Sequence, residues 1–314
     1  MRTRLRSTAA AVLTRTRVPV HALEGLRAHT LADRADRIVA HGEIVAVRLP
    51  PSARAWRSTP RIKALRRNGS DQCVEAFRLA GWLGYERPLP DLFLGALRRR
   101  PGTVLDVGAN TGVYALIAAS VRGTAVHAFE AYPPVAELLR ENLALNPSAA
   151  RVRVVQAAAS DRSGTIELFV PPPSAAIETS CSTDASFRAG STPVPVPALT
   201  LDAYWHQVGR PEVTVVKIDV EGAEHRVLQG ASELLLRSRP VSFVEVLPRA
   251  DLAALERVLD DASLVDVRLS EREAVVGDRV RFHDLAWNHA FVPRERLDDF
   301  LAVVRESGLV VTVL

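Results

Sequence analysis

Lysine is nearly missing: of 40 basic residues only Lys63 and Lys217 are lysines, and the rest are arginine. A bias of that kind reflects a GC-rich coding sequence, not a ligand. The formal net charge is +4 and much of the excess base lies before residue 101. The remainder is mixed in sign, so the basic stripe of a nucleic-acid footprint is not indicated. Cysteine is scarce as well. Cys73 and Cys181 stand 108 residues apart, which makes neither a metal spacing nor a disulfide framework and points to a reducing, cytoplasmic compartment. No apolar run reaches the ~18 residues of a membrane span. The basic N-terminus "MRTRLRSTAAAVLTRTRVPV" has an apolar core of only Ala9 to Leu13 before Arg15 and Arg17 interrupt it. That is too short for a secretory segment.

What is present is a chain of 314 residues, 47% apolar, enough for a sizeable core. Residues 1–70 are Arg-rich and weakly patterned. They read as an N-terminal extension or small module, with a strand-like alternation at 43–49 and a linker in "PPSARAWRSTPR". Residues 71–314 carry a tighter pattern. Helices are expected at 71–82 and 88–100, the second stopped by Pro101-Gly102. Strands at 103–107, 125–129, 152–157, 213–219 and 241–246 then alternate with helices at 111–121, 133–145, 222–237 and 250–260. A further strand is expected at 164–170, a Pro/Ser/Thr-rich loop at 171–193, then a strand and short helix in "VPVPALTLDAYW". Strands near 264–269 and 288–292 and a helix at 294–306 close the chain. Short apolar strands alternating with helices argue an α/β fold with a doubly wound, mostly parallel sheet. In such sheets ligands sit beyond the carboxyl ends of the strands.

The stretch "VLDVGANTGVYAL" stands at the first such end. Gly108 and Gly112 lack the spacing and the lysine of a phosphate loop. Asn110 replaces the middle glycine of a dinucleotide fingerprint, which argues against a pyrophosphate. S-adenosylmethionine fits better. Asp106 would hold its ammonium, the amides at 110–113 its carboxylate, Gly108 would let the backbone approach, and Gly112 would let the helix pack. A glycine-broken turn capped by Asn110 is the plain alternative. "AVHAFEA" ends at Glu130, 18 residues beyond Gly112, where a carboxylate can accept both ribose hydroxyls. Asp161, in "AAASDRSG", is placed to accept from an adenine amino group, or simply to shape a Ser-Gly turn. In "VVKIDVEGAEHRVLQGA", Lys217 interrupts a buried strand, and Asp219, Glu221 and Glu224 gather at its end. A structural reading, acids at a helix start and one paired lysine, competes with a place at the methyl-donor end of the ligand.

The strings "YERPLPDLFL", "VLDVGANTG", "AFEAYP", "LRENLALN", "TLDAY", "VKIDVEGAEHRVLQGA", "FVEV" and "NHAFVP" occur in that order. Together they resemble the FkbM family of S-adenosylmethionine-dependent methyltransferases, from about Tyr85 to Pro293. Ala131 departs from the proline that often follows the acid in that family. The resemblance implies a Rossmann-like, seven-stranded methyltransferase sheet. It also implies O-methylation of a hydroxyl on a small molecule, such as a polyketide, sugar or other secondary metabolite. Asp219, Glu221 and Glu245 are the expected catalytic residues, with His225 and His289 as weaker candidates for the base. Asp219 and Glu245 would suit Mg²⁺, but no further ligand is evident and no metal is expected. Three alternatives stay open: a methyltransferase acting on a macromolecule, a nicotinamide dehydrogenase, and a module that binds the cofactor without transfer. The loop at 171–195 is either a lid over the acceptor or disordered. The oligomeric state is not readable.

Overall fold

The computed structural model describes residues 43–48, 61–66, 85–172 and 180–314. The helix expected at 71–82 and the linker at 50–60 lie outside the described residues. Strands β1 (Glu43–Arg48) and β2 (Arg61–Arg66) form an antiparallel pair of their own.

The remaining chain runs through α1 (Leu89–Arg99), β3 (Thr103–Val107), α2 (Val113–Ala119), β4 (Ala125–Phe129), α3 (Pro133–Ala144) and β5 (Val152–Val155). Next come β6 (Ala158–Ala159), β7 (Gly164–Val170), β8 (Thr192–Leu199), α4 (Leu201–Gln207) and β9 (Val213–Ile218). Helices α5 (Glu224–Gln229) and α6 (Ser232–Ser238), strand β10 (Val241–Glu245) and helix α7 (Leu252–Asp261) follow. The chain closes with β11 (Leu264–Leu269), β12 (Glu273–Gly277), β13 (Asn288–Pro293), α8 (Leu297–Glu306) and β14 (Val310–Val313).

The central sheet has the order β14-β12-β11-β13-β10-β9-β3-β4-β5. Seven adjacent strands, β11 to β5 in that order, are the expected mostly parallel sheet; only β13 runs against its neighbours. Strands β12 and β14 extend it to nine, which the sequence reading did not foresee. Both are short, and β14 is half-exposed or exposed along its whole length. Their apolar stretches, "AVV" and "VVTV", are too short for periodicity alone to mark them as strands. Strands β3, β9 and β10 are buried throughout, as β-branched strands covered on both faces should be. Helices α1, α2 and α8 cover one face around Phe93, Leu116, Phe243 and Phe300. Helices α4 to α7 cover the other around Trp205, Leu228, Leu235 and Leu255.

The helix expected at 222–237 is two helices. Asp202 on α4 accepts from the main-chain N–H groups of Glu233 and Leu234 at 2.9 and 2.8 Å. It thereby caps α6 as a separate helix. The strand at 164–170 does not join the central sheet. It pairs with β8 in a three-stranded sheet of order β6-β8-β7. Pro193, Pro195 and Pro197 fall at alternate positions of β8 and are exposed; β6 pairs with β8 only at Ala198 and Leu199, so these prolines need supply no ladder donor on that side.

The chain leaves β3 towards β4 and β5, then returns to the other side of β3 as β9. Its topological switch point therefore lies between β3 and β9, and a crevice opens at the carboxyl ends of these strands.

Candidate active site

The crevice encloses about 380 Å³. One wall is the turn after β3. Gly108 has φ +76, and a Cβ there would stand 1.9 Å from the Asp219 carbonyl oxygen. The glycine is thus required first by the neighbouring strand, whose Asp219 N–H donates to the Val107 carbonyl at 3.0 Å. Asn110 is left-handed at φ 52, and its Oδ1 accepts from the Thr111 N–H at 2.8 Å. The fully buried Asn142 on α3 donates from Nδ2 to the Thr111 carbonyl at 2.7 Å and pins the turn from behind. Gly112 packs against Leu139 and does not line the crevice.

Glu130, past the end of β4, is 8% exposed and faces the crevice. Its two carboxylate oxygens accept from the N–H groups of Asn110 at 3.0 Å and Tyr132 at 2.9 Å. Burial pushes its carboxyl up to about 7, against the pull of these two donors. Each oxygen keeps a further lone pair for a ligand hydroxyl. Ala157, Ala158 and Ala159 continue the wall beyond Glu130. Asp161 does not reach it: the residue is exposed and accepts from the Ser160 hydroxyl at 3.0 Å.

Asp106 also fails to reach the wall. It is 1% exposed, its side chain accepts from the main chain of Ala115, and its Oδ2 has no hydrogen-bond partner. Burial is the main force that pushes its carboxyl up to about 7, although Lys217 pulls the other way. Position 106 sits on the same face of β3 as Val104, whose side is closed by α1 and α2. The acid therefore points beneath the turn instead of into the crevice.

The opposite wall comes from β9, β10 and the segment before α1. Lys217 is 3% exposed, and its Nζ donates to Asp219 Oδ2 at 2.9 Å and lies 4.8 Å from the Tyr114 ring centroid. Burial alone would push the ammonium down, but Asp219, Glu86 and Glu245 outweigh it and hold the charge on. The Tyr114 hydroxyl donates to Glu86 Oε2 at 2.7 Å. Asp219, Glu221 and Glu245, the three expected catalytic acids, all line this end of the crevice, with Tyr85, Leu247 and Trp287 beside them. Glu224 is different. It turns back to accept from the N–H groups of Val220 and Gly222 at 3.2 and 3.1 Å and holds the loop that carries Glu221.

Ser180, Cys181, Thr183 and Arg188 form the third side. This part of the expected lid is fastened down: the Ser182 hydroxyl donates to the Glu221 carbonyl at 2.7 Å, and Ser182 pairs with Phe169. Burial, then Glu130 and Glu221, push the Cys181 thiol up to about 12, so it is no nucleophile. His225 is off the wall, and His289 is fully buried against Asp266 at 2.7 Å. Glu86, Tyr114 and Lys217 also line the crevice, although the sequence names none of them as a site residue. The available signal was Lys217 itself, because a lysine inside a buried strand requires carboxylates around it.

A crevice at the switch point of this sheet, with a buried acid past the second strand and acids past the fourth and fifth, defines a methyltransferase-type α/β domain. The sequence matches the Methyltransferase FkbM domain over residues 106–265, just over half of its 314 residues. The chain belongs to that family, a methyltransferase family whose methyl donor is S-adenosylmethionine. Among solved structures, it is similar to a methyltransferase FkbM from Methylobacillus flagellatus KT. That pair shares 16% identity at a TM-score of 0.42, over 70% of this chain and 53% of the other. The chain thus spans about half the length of that relative. A precorrin-6y C5,15-methyltransferase from Geobacter metallireducens GS-15 shows 14% identity and a TM-score of 0.40, over 68% and 92% of the two chains. A SAM-dependent methyltransferase from Agrobacterium tumefaciens shows 14% and 0.39, over 81% and 72%. No curated protein matches the sequence. No helix among the described residues is long and apolar enough to cross a membrane.

Proposed function

We propose that the chain transfers a methyl group from S-adenosylmethionine to a hydroxyl oxygen of a small molecule, a sugar or another secondary metabolite. The observation that carries this reading is the division of one crevice into two ends. At one end, the buried Glu130, braced by the Asn110 N–H, offers acceptor atoms to a sugar diol. At the other, Asp219, Glu221 and Glu245 offer carboxylates to a reacting hydroxyl. The residues fit the cofactor: Glu130 is already oriented by two main-chain donors, and Ala157 to Ala159 leave an unobstructed apolar wall for a base.

When bound, S-adenosylmethionine supplies an electrophilic methyl carbon on a cationic sulfur. The chain's own task is to orient the acceptor in line and take its proton. Asp219 is committed to Lys217 and serves to fix the floor of the site. Glu221 and Glu245 are the candidates to receive the proton. A hydroxyl becomes strongly acidic as its oxygen gains a methyl group, so an ordinary ionised carboxylate within reach is a sufficient base. Lys217, held charged, cannot act as a base and instead keeps Asp219 in place at the floor of the site. The scarcity of cysteine supports a cytoplasmic setting.

The test is incubation with methyl-labelled S-adenosylmethionine and three acceptor pools: hydroxylated small molecules, total RNA and total protein. Label in a base-stable ether of a small molecule supports the reading. Label confined to RNA or protein contradicts the acceptor class, and tight binding with no transfer to any pool contradicts catalysis.

A further inference from the structure

Five carboxylates line the crevice: Glu86, Glu130, Asp219, Glu221 and Glu245. The methyl donor brings two cations, the sulfonium and the ammonium of its amino-acid end, and the ammonium needs a carboxylate of its own. The acid that the sequence offers for this, Asp106, is sealed beneath the turn and off the wall. With its carboxyl pushed up to about 7 by burial, it is also only partly charged near neutrality.

The other acids are engaged elsewhere. Glu130 stands past the end of β4, with both oxygens on main-chain N–H groups. Asp219 is paired with Lys217 at 2.9 Å. Glu221 shares its wall with Cys181, whose thiol it helps to push up. Glu245 ends β10, two strands away from β3 in the sheet.

Glu86 shares the neighbourhood of Lys217 with Asp219 and Glu245, but it reaches the crevice from a different part of the chain. It enters from the segment before α1, N-terminal to the matched residues 106–265. Its Oε2 accepts from the hydroxyl of Tyr114, which belongs to the helix directly after the Gly108–Gly112 turn. That bond ties Glu86 to the first turn of the helix that follows the Gly108–Gly112 turn, and both residues line the crevice in which the amino-acid end of the donor must lie if its ribose is on Glu130. Among the described residues, Glu86 Oε1 takes no hydrogen bond. The left-handed backbone at Glu86, φ 44, is the sort of strain that persists when surrounding contacts hold a side chain in place.

We infer that Glu86, positioned by Tyr114, holds the ammonium of the methyl donor's amino-acid end. The inference rests on the crevice being the donor's site. Lys217 does not repel the incoming ammonium strongly, because Asp219 already pairs with it. Glu86 thereby takes the role that the sequence alone gives to Asp106. Tyr114 is a positioning residue, acting through Glu86.

Calorimetric titration with two probes tests this. S-adenosylhomocysteine carries the amino-acid end, and 5′-methylthioadenosine lacks it while keeping the base, sugar and sulfur. Glu86→Gln is expected to weaken S-adenosylhomocysteine about tenfold or more and leave 5′-methylthioadenosine within about twofold. Tyr114→Phe is expected to show a smaller loss with the same selectivity, and it carries the test if Glu86→Gln fails to fold by its melting curve. Equal affinity of Glu86→Gln and the parent protein for S-adenosylhomocysteine overturns the inference and leaves the donor site intact. So does equal weakening of both probes. If the parent protein binds neither probe, the donor site falls and the inference with it.

Discussion

Replacing Gly108 by alanine tests how the site is built, because two costs at that position can be separated. The first is conformational: at φ +76 an alanine pays the left-handed penalty of about 1–2 kcal/mol. The second is steric. The added Cβ would sit 1.9 Å from the Asp219 carbonyl oxygen and 2.8 Å from its carbonyl carbon, where ordinary contact begins at 3.4 Å. Backbone meets backbone here, so no side chain can swing aside, and β3 and β9 must part at their carboxyl ends. Overpacking of that kind costs about 1–3 kcal/mol more. Gly209 supplies the control: its φ is +87 and nothing lies within 4 Å of its Cβ position, so alanine there meets the first cost only. A melting temperature about 5–15 °C below the parent is expected for Gly108→Ala, with Gly209→Ala falling by less than half as much. Circular dichroism melts read both. Binding of S-adenosylhomocysteine should weaken in Gly108→Ala alone, since Asp219 and its partner Lys217 are displaced. If the two variants melt together, the close approach of the strands is not what requires the glycine.

Two further outcomes follow from buried carboxyls. Glu130→Gln places an amide N–H against a main-chain donor and removes the ionised acceptor, so affinity for S-adenosylhomocysteine should fall about tenfold to a hundredfold. Hydroxyl donors favour the ionised form of Glu130, so the parent's affinity should rise with pH through about 7 and the variant's should not, as titrations at several pH values would show. Without ligand the trend in stability is opposite. Asp106, Glu130 and Glu224 are each raised to about 7 by burial. The native state therefore holds more protons than the unfolded chain between about pH 4.5 and 7. Their contribution to stability falls as pH rises across that window, so the ligand-free protein should melt higher at pH 6 than at pH 8 in scanning calorimetry. A higher melt at pH 8 contradicts the burial of these acids.

The seven strands from β11 to β5 were legible because β3, β9 and β10 are short, mostly apolar runs that a doubly covered sheet buries, even with Asp106, Lys217 and Glu245 among them. Strands β12 and β14 were not, being short strands whose pairing is decided by their neighbours in space: β14 is the edge of the sheet and β12 lies between it and β11. The acids past the strand ends were legible by position, and Glu130, Asp219, Glu221 and Glu245 do meet in one crevice. Asp106 and Asp161 show the limit of position. The face of the strand turns one inward beneath the turn, and the local turn directs the other to the surface. Glu86 was hidden for the converse reason, since only the folded chain brings the segment before α1 against Tyr114.

The most direct measurement is a crystal structure of the protein with S-adenosylhomocysteine. Its two ribose hydroxyls should lie on the Glu130 carboxylate, with the sulfur towards Asp219 and the adenine along Ala157 to Ala159. A crevice that stays empty at saturating ligand, or a nucleoside held elsewhere on the molecule, would contradict the assignment of this site.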